Sequence, residues 1–176
     1  MEPHWPSLLG PKFYEEKRLR SHQNKIIEEL NIRTATYEDI RDIKFLDPDL
    51  FGFSSTNSIL KGSLIVVAEL YHNIVGVIVV NIVEDEMEIL KIVVDPKYRR
   101  MGIGKSLLNR MLDIAEQKGL TVIYLDVSQK NLAAIALYQA FGFKEYGIRK
   151  DYYSKGEDAI LMKLELSDQH REEQAA

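Results

Sequence analysis

The fold is decided by the stretch Ile92-Val93-Val94-Asp95-Pro96-Lys97-Tyr98-Arg99-Arg100-Met101-Gly102-Ile103-Gly104-Lys105-Ser106. Its β-branched start predicts a buried strand, and the apolar spacing after the second glycine predicts an amphipathic helix. The basic turn between them carries two glycines, which let a backbone approach an anion without a Cβ in the way. Unpaired N–H groups at the start of the helix would face the same anion. The stretch therefore predicts a cradle for pyrophosphate.

Two nucleotide-binding motifs share part of this pattern, and both fail on spacing. A P-loop needs a glycine five positions before Gly104, where the chain has Arg99. A dinucleotide-binding turn needs Gly or Ala three positions after Gly104, where the chain has Leu107. The stretch therefore implies neither ATP nor NAD.

Hydrophobic periodicity on both sides of this stretch predicts the remaining elements. The predicted strands are 31–35, 63–70, 74–83, 87–94, 122–127, 144–148 and 158–164. The predicted helices begin near Thr36, Ile103 and Leu132, and Gly119 and Gly142 lie where the last two end. The resulting order, β-α-β-β-β-α-β-α-β-β, is that of an α/β fold.

Charge and composition exclude several classes of function. The chain has 176 residues with 23 basic and 27 acidic side chains, and its net charge of −4 gives no bulk attraction to nucleic acid or anionic membranes. The absence of cysteine excludes disulfides, thiolate metal sites and a cysteine nucleophile, and it agrees with an expected cytoplasmic location. The histidines lack the spacing of metal ligands, so no metal is expected; they are His4, His22, His72 and His170.

One domain is expected at residues 31–166, with a shorter segment on each side. Residues 1–30 predict an N-terminal extension that is helical in its weakly amphipathic part and lacks the apolar core of a secretion signal. Residues 167–176 are polar and predict a flexible tail. The longest apolar run, residues 73–82, is about half of the roughly 20 residues that a membrane-spanning helix needs, and its β-branched content favours a buried strand.

Several separated motifs resemble one superfamily. Arg99 to Gly104 matches the Arg/Gln-x-x-Gly-x-Gly/Ala acetyl-CoA signature of the GCN5-related N-acetyltransferase (GNAT) superfamily. Further matches follow in order: Leu125-Asp126-Val127, Asn131, Ala133 to Tyr138, Phe141-Gly142-Phe143, Arg149 to Tyr153 and Glu157 to Ala159. Together they resemble N-terminal protein acetyltransferases of the ribosomal-protein-alanine type and their archaeal relatives. The resemblance implies a mixed sheet of about seven strands flanked by helices.

The resemblance also implies how the chain would hold its cosubstrate, acetyl-CoA. Main-chain groups of Ile92, Val93 and Val94 would align the thioester and the pantetheine arm. The pyrophosphate would be held by Arg99, Arg100, Met101, Gly102, Ile103, Gly104 and Lys105. Asn131 has two interpretations, a hydrogen bond to the cofactor arm or an N-cap of the helix that begins at Leu132.

Acetyl transfer to an amine needs a neutral amine and a proton for the departing thiolate. Tyr138 matches the family's tyrosine, which lies against the cofactor and gives a proton to its sulfur, although a core tyrosine bonded to a backbone carbonyl is the alternative. The family's glutamate base is Asp126 here, one methylene shorter, which favours a relay through water. Glu88 is a second candidate base on an alternating strand, unless that strand face is only solvated.

Peptide substrates of this subfamily enter between the loop after the first helix and the C-terminal hairpin. Phe51 lies in that loop here, and Tyr152 and Tyr153 lie in the hairpin. The tyrosines could instead pack within the hairpin. Glu38 or Asp39 could attract the substrate amine, or could mark the start of a helix.

The acidity of the acceptor favours one substrate class. A protein α-amine has a pKa of about 7.7 to 8.0, whereas lysine is near 10.4, so a weak base suits the α-amine better. We therefore expect direct transfer, in a ternary complex, to protein N-termini, with nascent chains and ribosomal proteins as candidates and with no nucleic-acid or membrane partner. The alternatives are acetylation of lysine or a small amine, and a CoA-binding regulatory module without turnover.

Overall fold

A computed structural model describes residues 19, 21, 23–50 and 63–166 of the chain. The helices are α1 (23–29), α2 (Ile40–Leu46), α3 (Ile103–Gln117) and α4 (Leu132–Ala140). Single 3-10 turns lie at Tyr37–Asp39 and Pro96–Tyr98. The strands are β1 (Asn31–Thr34), β2 (Ser63–Leu70), β3 (Asn73–Val83), β4 (Glu86–Val94), β5 (Val122–Ser128), β6 (Lys144–Ser154) and β7 (Glu157–Glu165).

The described strands form one seven-stranded sheet in the order β1-β2-β3-β4-β5-β7-β6. All neighbours pair antiparallel except β4 and β5, which run parallel. The predicted succession of strands and helices is confirmed. The main difference is β6, predicted over 144–148, which continues to Ser154 as the first arm of a hairpin with β7.

The central feature of the sheet is the separation of β4 from β5. Their pairing covers only Glu86 to Ile89 on β4, opposite Val122 to Leu125 on β5. On its other edge, β4 has a register shift against β3 at the same point, as in a β-bulge, which bends a strand locally. Past Ile89, the edge of β4 that faces β5 has no strand partner among the described residues. The sheet therefore opens between the carboxyl ends of two parallel strands.

Helices cover the two faces of the sheet. On one face, Ile43 of α2 packs against β2 and β3 through Val67 and Val77. On the other face, α3 presents its apolar stripe, which follows the helical period: Ile103, Leu107, Leu108, Met111, Ile114 and Ala115. The same cluster includes Ile26 of α1, Tyr138 of α4 and the inward residues of β4 and β5. The larger core therefore lies on the α3 face.

A buried ion pair fixes the start of α2. Arg33 donates to both oxygens of Asp39 at 2.7 Å, and the backbone N–H of Thr36 donates to the same carboxylate, also at 2.7 Å. Asp39 is 7% exposed, and the Arg33 guanidinium lowers its pKa to about 2. Asp39 therefore marks a helix start, and it is not placed to attract a substrate amine.

Several predictions fall on residues that the structure does not describe. They concern Phe51, most of the N-terminal extension and the C-terminal tail. No helix in the described ranges is long and apolar enough to cross a membrane. Within the same ranges, no group of three or more His, Asp or Glu side chains could hold a metal ion.

Candidate active site

The glycine turn leads from β4 into α3 and exposes main-chain donors. Arg100 has φ +63° and Gly102 has φ +89°, so two residues of the turn adopt the left-handed conformation. The first hydrogen bond of α3 runs from the Ser106 N–H to the Gly102 carbonyl at 2.9 Å. The N–H groups of Ile103, Gly104 and Lys105 consequently have no acceptor within the helix. They form the anion-binding end that the sequence predicts.

Three basic side chains surround these donors. Arg99 donates through Nε to the Val94 carbonyl at 3.1 Å, which holds it across the end of β4. Arg100 and Lys105 are exposed and form no ion pair with the described residues. Donor N–H groups, a helix N-terminus and unpaired cations are the groups that bind phosphates. The predicted pyrophosphate residues therefore fit a pyrophosphate.

The opening between β4 and β5 runs from Ile89 to the end of β4, where this turn begins. β4 pairs with β3 along 92–94, and its main-chain groups alternate between the two edges, so those of Val93 point to β3 and those of Ile92 and Val94 point to the opening. Main-chain groups on such an edge are available to an extended ligand, in the way a sheet edge takes up an added strand. Ile92 and Val94 thus lie on the edge that an extended ligand could reach, and the contact of all three residues with a pantetheine arm stays a prediction.

Tyr138 lies in the core on the α3 face. It is 7% exposed, and its ring centroid lies 5.7 Å from that of Phe143. Burial, together with a smaller influence of Tyr153, raises the pKa of Tyr138 to about 12. The Tyr138 hydroxyl forms no hydrogen bond with the described residues, so the alternative of a hydroxyl held by a backbone carbonyl is not what the structure contains. Among the described residues, every fully buried side-chain oxygen has a hydrogen-bond partner. The Tyr138 hydroxyl has none, so it is not fully buried and is accessible from outside the core.

Asn131 is the N-cap of α4. Its side-chain oxygen accepts a hydrogen bond from the Ala134 N–H at 3.2 Å. This is the second of the two interpretations drawn from the sequence. The amide nitrogen of Asn131 has no partner among the described residues, so contact with a cofactor arm through that nitrogen stays a prediction.

The two candidate bases share a cleft on the sheet face opposite Tyr138. The cleft has a volume of about 320 Å³. Its lining residues are Asn81, Val83, Glu86, Met87, Glu88, Tyr124, Asp126, Tyr146 and Arg149. The two carboxylates meet because Glu88 and Tyr124 are register partners and Asp126 is two residues further along the same face of β5. The rings of Tyr124 and Tyr146 form one wall, with centroids 5.8 Å apart.

Asp126 and Glu88 differ in their partners. Arg149 of β6 donates to Asp126 at 3.0 Å, and its guanidinium lies 4.7 Å from the centroid of the Tyr152 ring. Glu88 forms no ion pair or side-chain hydrogen bond within the described residues. Asp126 is therefore held by a cation, while Glu88 faces the open cleft.

The hairpin of β6 and β7 carries the predicted substrate tyrosines. The register between the strands breaks from Arg149 to Ser154, and Asp158 accepts hydrogen bonds from the Asp151 N–H at 3.0 Å and from Lys150 at 2.6 Å. The bulge leaves Tyr152 and Tyr153 each 48% exposed, with ring centroids 5.0 Å apart. The Tyr153 hydroxyl donates to the Asp126 carbonyl at 3.4 Å. Tyr153 thus borders the opening, and both tyrosines combine packing with exposed surface.

Sequence reasoning missed the residues that complete this cleft. Tyr124 and Asn81 gave no signal because they resemble any outward-facing strand residue. Arg149 was within a matching motif, but its pairing with Asp126 depends on the registers of β5, β6 and β7. Alternation along β5 could have placed Tyr124 on the face of Asp126.

Comparison with known proteins gives consistent matches. The model of the acetyltransferase (GNAT) family matches residues 26–143. A [ribosomal protein bS18]-alanine N-acetyltransferase of Escherichia coli is 42% identical over 92 residues, which are 51% of this chain and 62% of that protein. N-alpha-acetyltransferase RimI of Mycobacterium tuberculosis is 43% identical over 84 residues, 47% of this chain and 51% of that protein. The matches thus span less than two thirds of these relatives.

Solved structures match a larger part of the chain. The crystal structure of the ribosomal-protein-S18-alanine N-acetyltransferase from Escherichia coli has a TM-score of 0.69 and 29% identity, over 78% of this chain and 94% of that one. Arabidopsis thaliana Naa50, in complex with a bisubstrate analogue, has a TM-score of 0.68 and 23% identity, over 78% and 99%. The second likeness concerns the fold alone.

Proposed function

The chain belongs to the acetyltransferase (GNAT) family, and from this membership we propose that it transfers acetyl from acetyl-CoA to the free α-amine of protein N-termini. One observation carries the proposal. The opening between β4 and β5 has a buried tyrosine, Tyr138, on one face of the sheet and a cleft with two carboxylates, Glu88 and Asp126, on the other. A proton donor and a proton acceptor on opposite sides of one opening suit transfer between a thiol and an amine.

The glycine turn and the edge of β4, here called the donor side, bind and orient acetyl-CoA. The N–H groups at the start of α3 and the cations Arg100 and Lys105 bind the pyrophosphate, and the edge of β4 at 92–94 aligns the pantetheine amides. When bound, acetyl-CoA supplies an activated thioester. Since the pyrophosphate and the pantetheine arm are held by main-chain groups of one continuous segment, the thioester is fixed relative to Tyr138 and Glu88, and this lowers the entropic cost of the reaction.

Tyr138 gives a proton to the departing sulfur. Its pKa of about 12 means that the hydroxyl carries its proton at neutral pH. Its burial on α4 fixes the ring, so the hydroxyl points to one place. A phenol that stays protonated and reaches the opening suits the role of an acid, and a general acid contributes about 10²- to 10⁴-fold to a rate.

Glu88 is the better placed of the two candidate bases. Asp126 is held by Arg149, so its side chain is already engaged by a guanidinium. Glu88 faces the same cleft without such a partner among the described residues. Glu88 therefore takes the proton of the amine, directly or through a water, while Asp126 and Arg149 shape the cleft beside Tyr152.

The cleft suits an amine that enters as a cation. It contains three carboxylates, Glu86, Glu88 and Asp126, against the single guanidinium of Arg149. A surplus of negative charge raises the local concentration of an ammonium group. The names of these relatives, which concern ribosomal protein bS18 alanine and α-acetylation, support a protein N-terminus as the acceptor. Ribosomal proteins and nascent chains are the candidate substrates.

A panel of peptides tests the proposal. The full chain is incubated with acetyl-CoA and peptides that have free or blocked N-termini, with and without an internal lysine, and the modified amine is located by mass spectrometry. Acetyl on free α-amines alone is the expected result, with no product from blocked peptides. Acetyl on lysine would contradict the substrate assignment, and tight CoA binding without transfer would contradict catalysis.

A further inference from the structure

Helix α1, which precedes the first strand, packs directly on the glycine turn. Gln23 donates through its side-chain amide to the Arg100 carbonyl at 2.7 Å, across 77 positions of the chain. A Cβ added to Gly102 would lie 3.1 Å from the terminal methyl group of Ile27. Ile26, 5% exposed, anchors the helix in the core on the α3 face. The helix thus touches both left-handed residues of the turn.

These contacts matter because the turn is a strained piece of backbone. Arg100 is not a glycine, yet its φ is +63°, a left-handed conformation that is unfavourable for a residue with a side chain. Without an external contact, such a residue can relax and turn its peptide groups away from the anion site. The Gln23 hydrogen bond fixes the carbonyl of this same residue, and Ile27 fills the space behind Gly102.

We propose that α1 is a positioning element for the pyrophosphate turn, and that Gln23 and Ile27 set the affinity for CoA by holding Arg100 and Gly102 in the anion-binding conformation. The inference rests on the proposed use of acetyl-CoA. Neither residue is among the groups proposed to hold the cofactor. Their influence passes through the turn, so it concerns the pyrophosphate and leaves the thioester and the amine cleft unaffected.

Calorimetric titration with CoA tests this without any reaction. Gln23→Ala is compared with Asn24→Ala, which removes an amide from the next, exposed position of α1 that has no hydrogen bond to the described residues. Loss of one hydrogen bond predicts about a fivefold rise in the Kd of CoA for Gln23→Ala. Asn24→Ala should bind like the unmodified chain. Ile27→Ala, a second variant, should also weaken binding.

Kinetics with two donors separate positioning from general damage. With acetyl-CoA, Gln23→Ala should raise KM and leave kcat unchanged. With S-acetylpantetheine, which lacks the pyrophosphate, both constants should stay as in the unmodified chain. Equal CoA affinity for Gln23→Ala and Asn24→Ala would overturn the proposal, as would an equal loss with both donors. If the chain bound CoA but acetylated no peptide, the proposed function would fail while the calorimetric comparison still decided this inference.

Discussion

The two sides of the opening are built in different ways. The donor side consists of main-chain groups from one continuous segment, residues 92–106, and its shape depends on backbone conformation at Arg100 and Gly102. The acceptor side consists of side chains from β3, β4, β5 and β6, which meet only in the folded sheet. Main-chain recognition tolerates changes of side chain, whereas side-chain recognition changes with each substitution. The donor side is therefore suited to one constant ligand, and the acceptor side to a ligand that evolution can vary.

Charge divides the two sides in the same way. The turn carries Arg99, Arg100 and Lys105, while the cleft carries a surplus of carboxylates. An anionic donor and a cationic acceptor are thus drawn to different faces of one opening. This separation also places the proposed acid, Tyr138, on the opposite face of the sheet from the proposed base, Glu88.

The largest effect is expected from Tyr138→Phe. Loss of the hydroxyl removes the proton donor while the ring stays against Phe143, so kcat should fall by about 10²- to 10⁴-fold. The Kd of CoA should change little, since the turn is untouched. Steady-state kinetics and calorimetry measure the two quantities. An unchanged kcat would exclude Tyr138 as the acid, and a weakened CoA affinity would show that both sides of the opening share this residue.

Gly102→Ala should have the next largest effect, on the donor side alone. The Cβ would meet Ile27 at 3.1 Å and would force a left-handed alanine, so KM for acetyl-CoA should rise about tenfold with kcat preserved. Gly119→Ala is the matched control, because Gly119 has φ +66° at the far end of α3 and its added Cβ would meet nothing within 4 Å. It should cost similar stability and leave KM alone. A KM rise in both variants would mean that destabilisation, not the turn, weakens binding.

Most of the fold could be predicted because its signals are local. Runs of β-branched residues marked β2, β3 and β4, and the stripe from Ile103 to Gly119 marked α3 within two residues. The second half of β6 could not be predicted, because it is polar and exposed and is held by Asp158 of β7 rather than by apolar burial. A strand that is held by contacts with another strand, and not by apolar burial, shows no hydrophobic pattern in its own sequence.

The site divides along the same line. The residues of the turn could be placed from the sequence because one contiguous motif contains them all. The ion pair of Arg149 and Asp126 joins two strands that lie on either side of β7. The contact of Gln23 with Arg100 joins two segments that are 77 positions apart in the chain. Both are products of tertiary packing. Only the structure shows that Asp126 is occupied and that Glu88 is not among the described ion pairs.

A smaller effect is expected from the acceptor side, where Glu88→Gln and Asp126→Asn should differ. At pH 7, an α-amine of pKa about 7.7 to 8.0 is roughly one-tenth to one-sixth neutral, so a base can gain only about five- to tenfold by deprotonating it. Glu88→Gln should lose that factor at pH 7 and regain it by pH 9, where the amine is neutral. Asp126→Asn and the control Glu86→Gln should stay within twofold. Rates that fall for Asp126→Asn alone would make the aspartate the base.

The smallest effect is expected in the pH dependence of the rate, which tests the raised pKa of Tyr138. Burial raises its pKa to about 12, so the hydroxyl keeps its proton far above the ordinary value for a phenol near 10. The rate should rise with pH until the α-amine is neutral, near pH 9, and should then stay level to pH 10.5. An ordinary phenol would be about three-quarters ionised at pH 10.5, so a Tyr138 of normal pKa would cost about fourfold in rate.

Absorbance measures the ionisation of Tyr138 directly, because ionised tyrosine absorbs near 295 nm. The difference in absorbance between the unmodified chain and Tyr138→Phe isolates this one ring. That difference should be absent at pH 10.5 and should develop only as the pH approaches 12, provided that the far-ultraviolet circular dichroism shows the fold intact. A difference that develops near pH 10 would mean that Tyr138 is solvated like a surface phenol. The proposal that a buried, protonated hydroxyl lies across the opening from Glu88 would then fail.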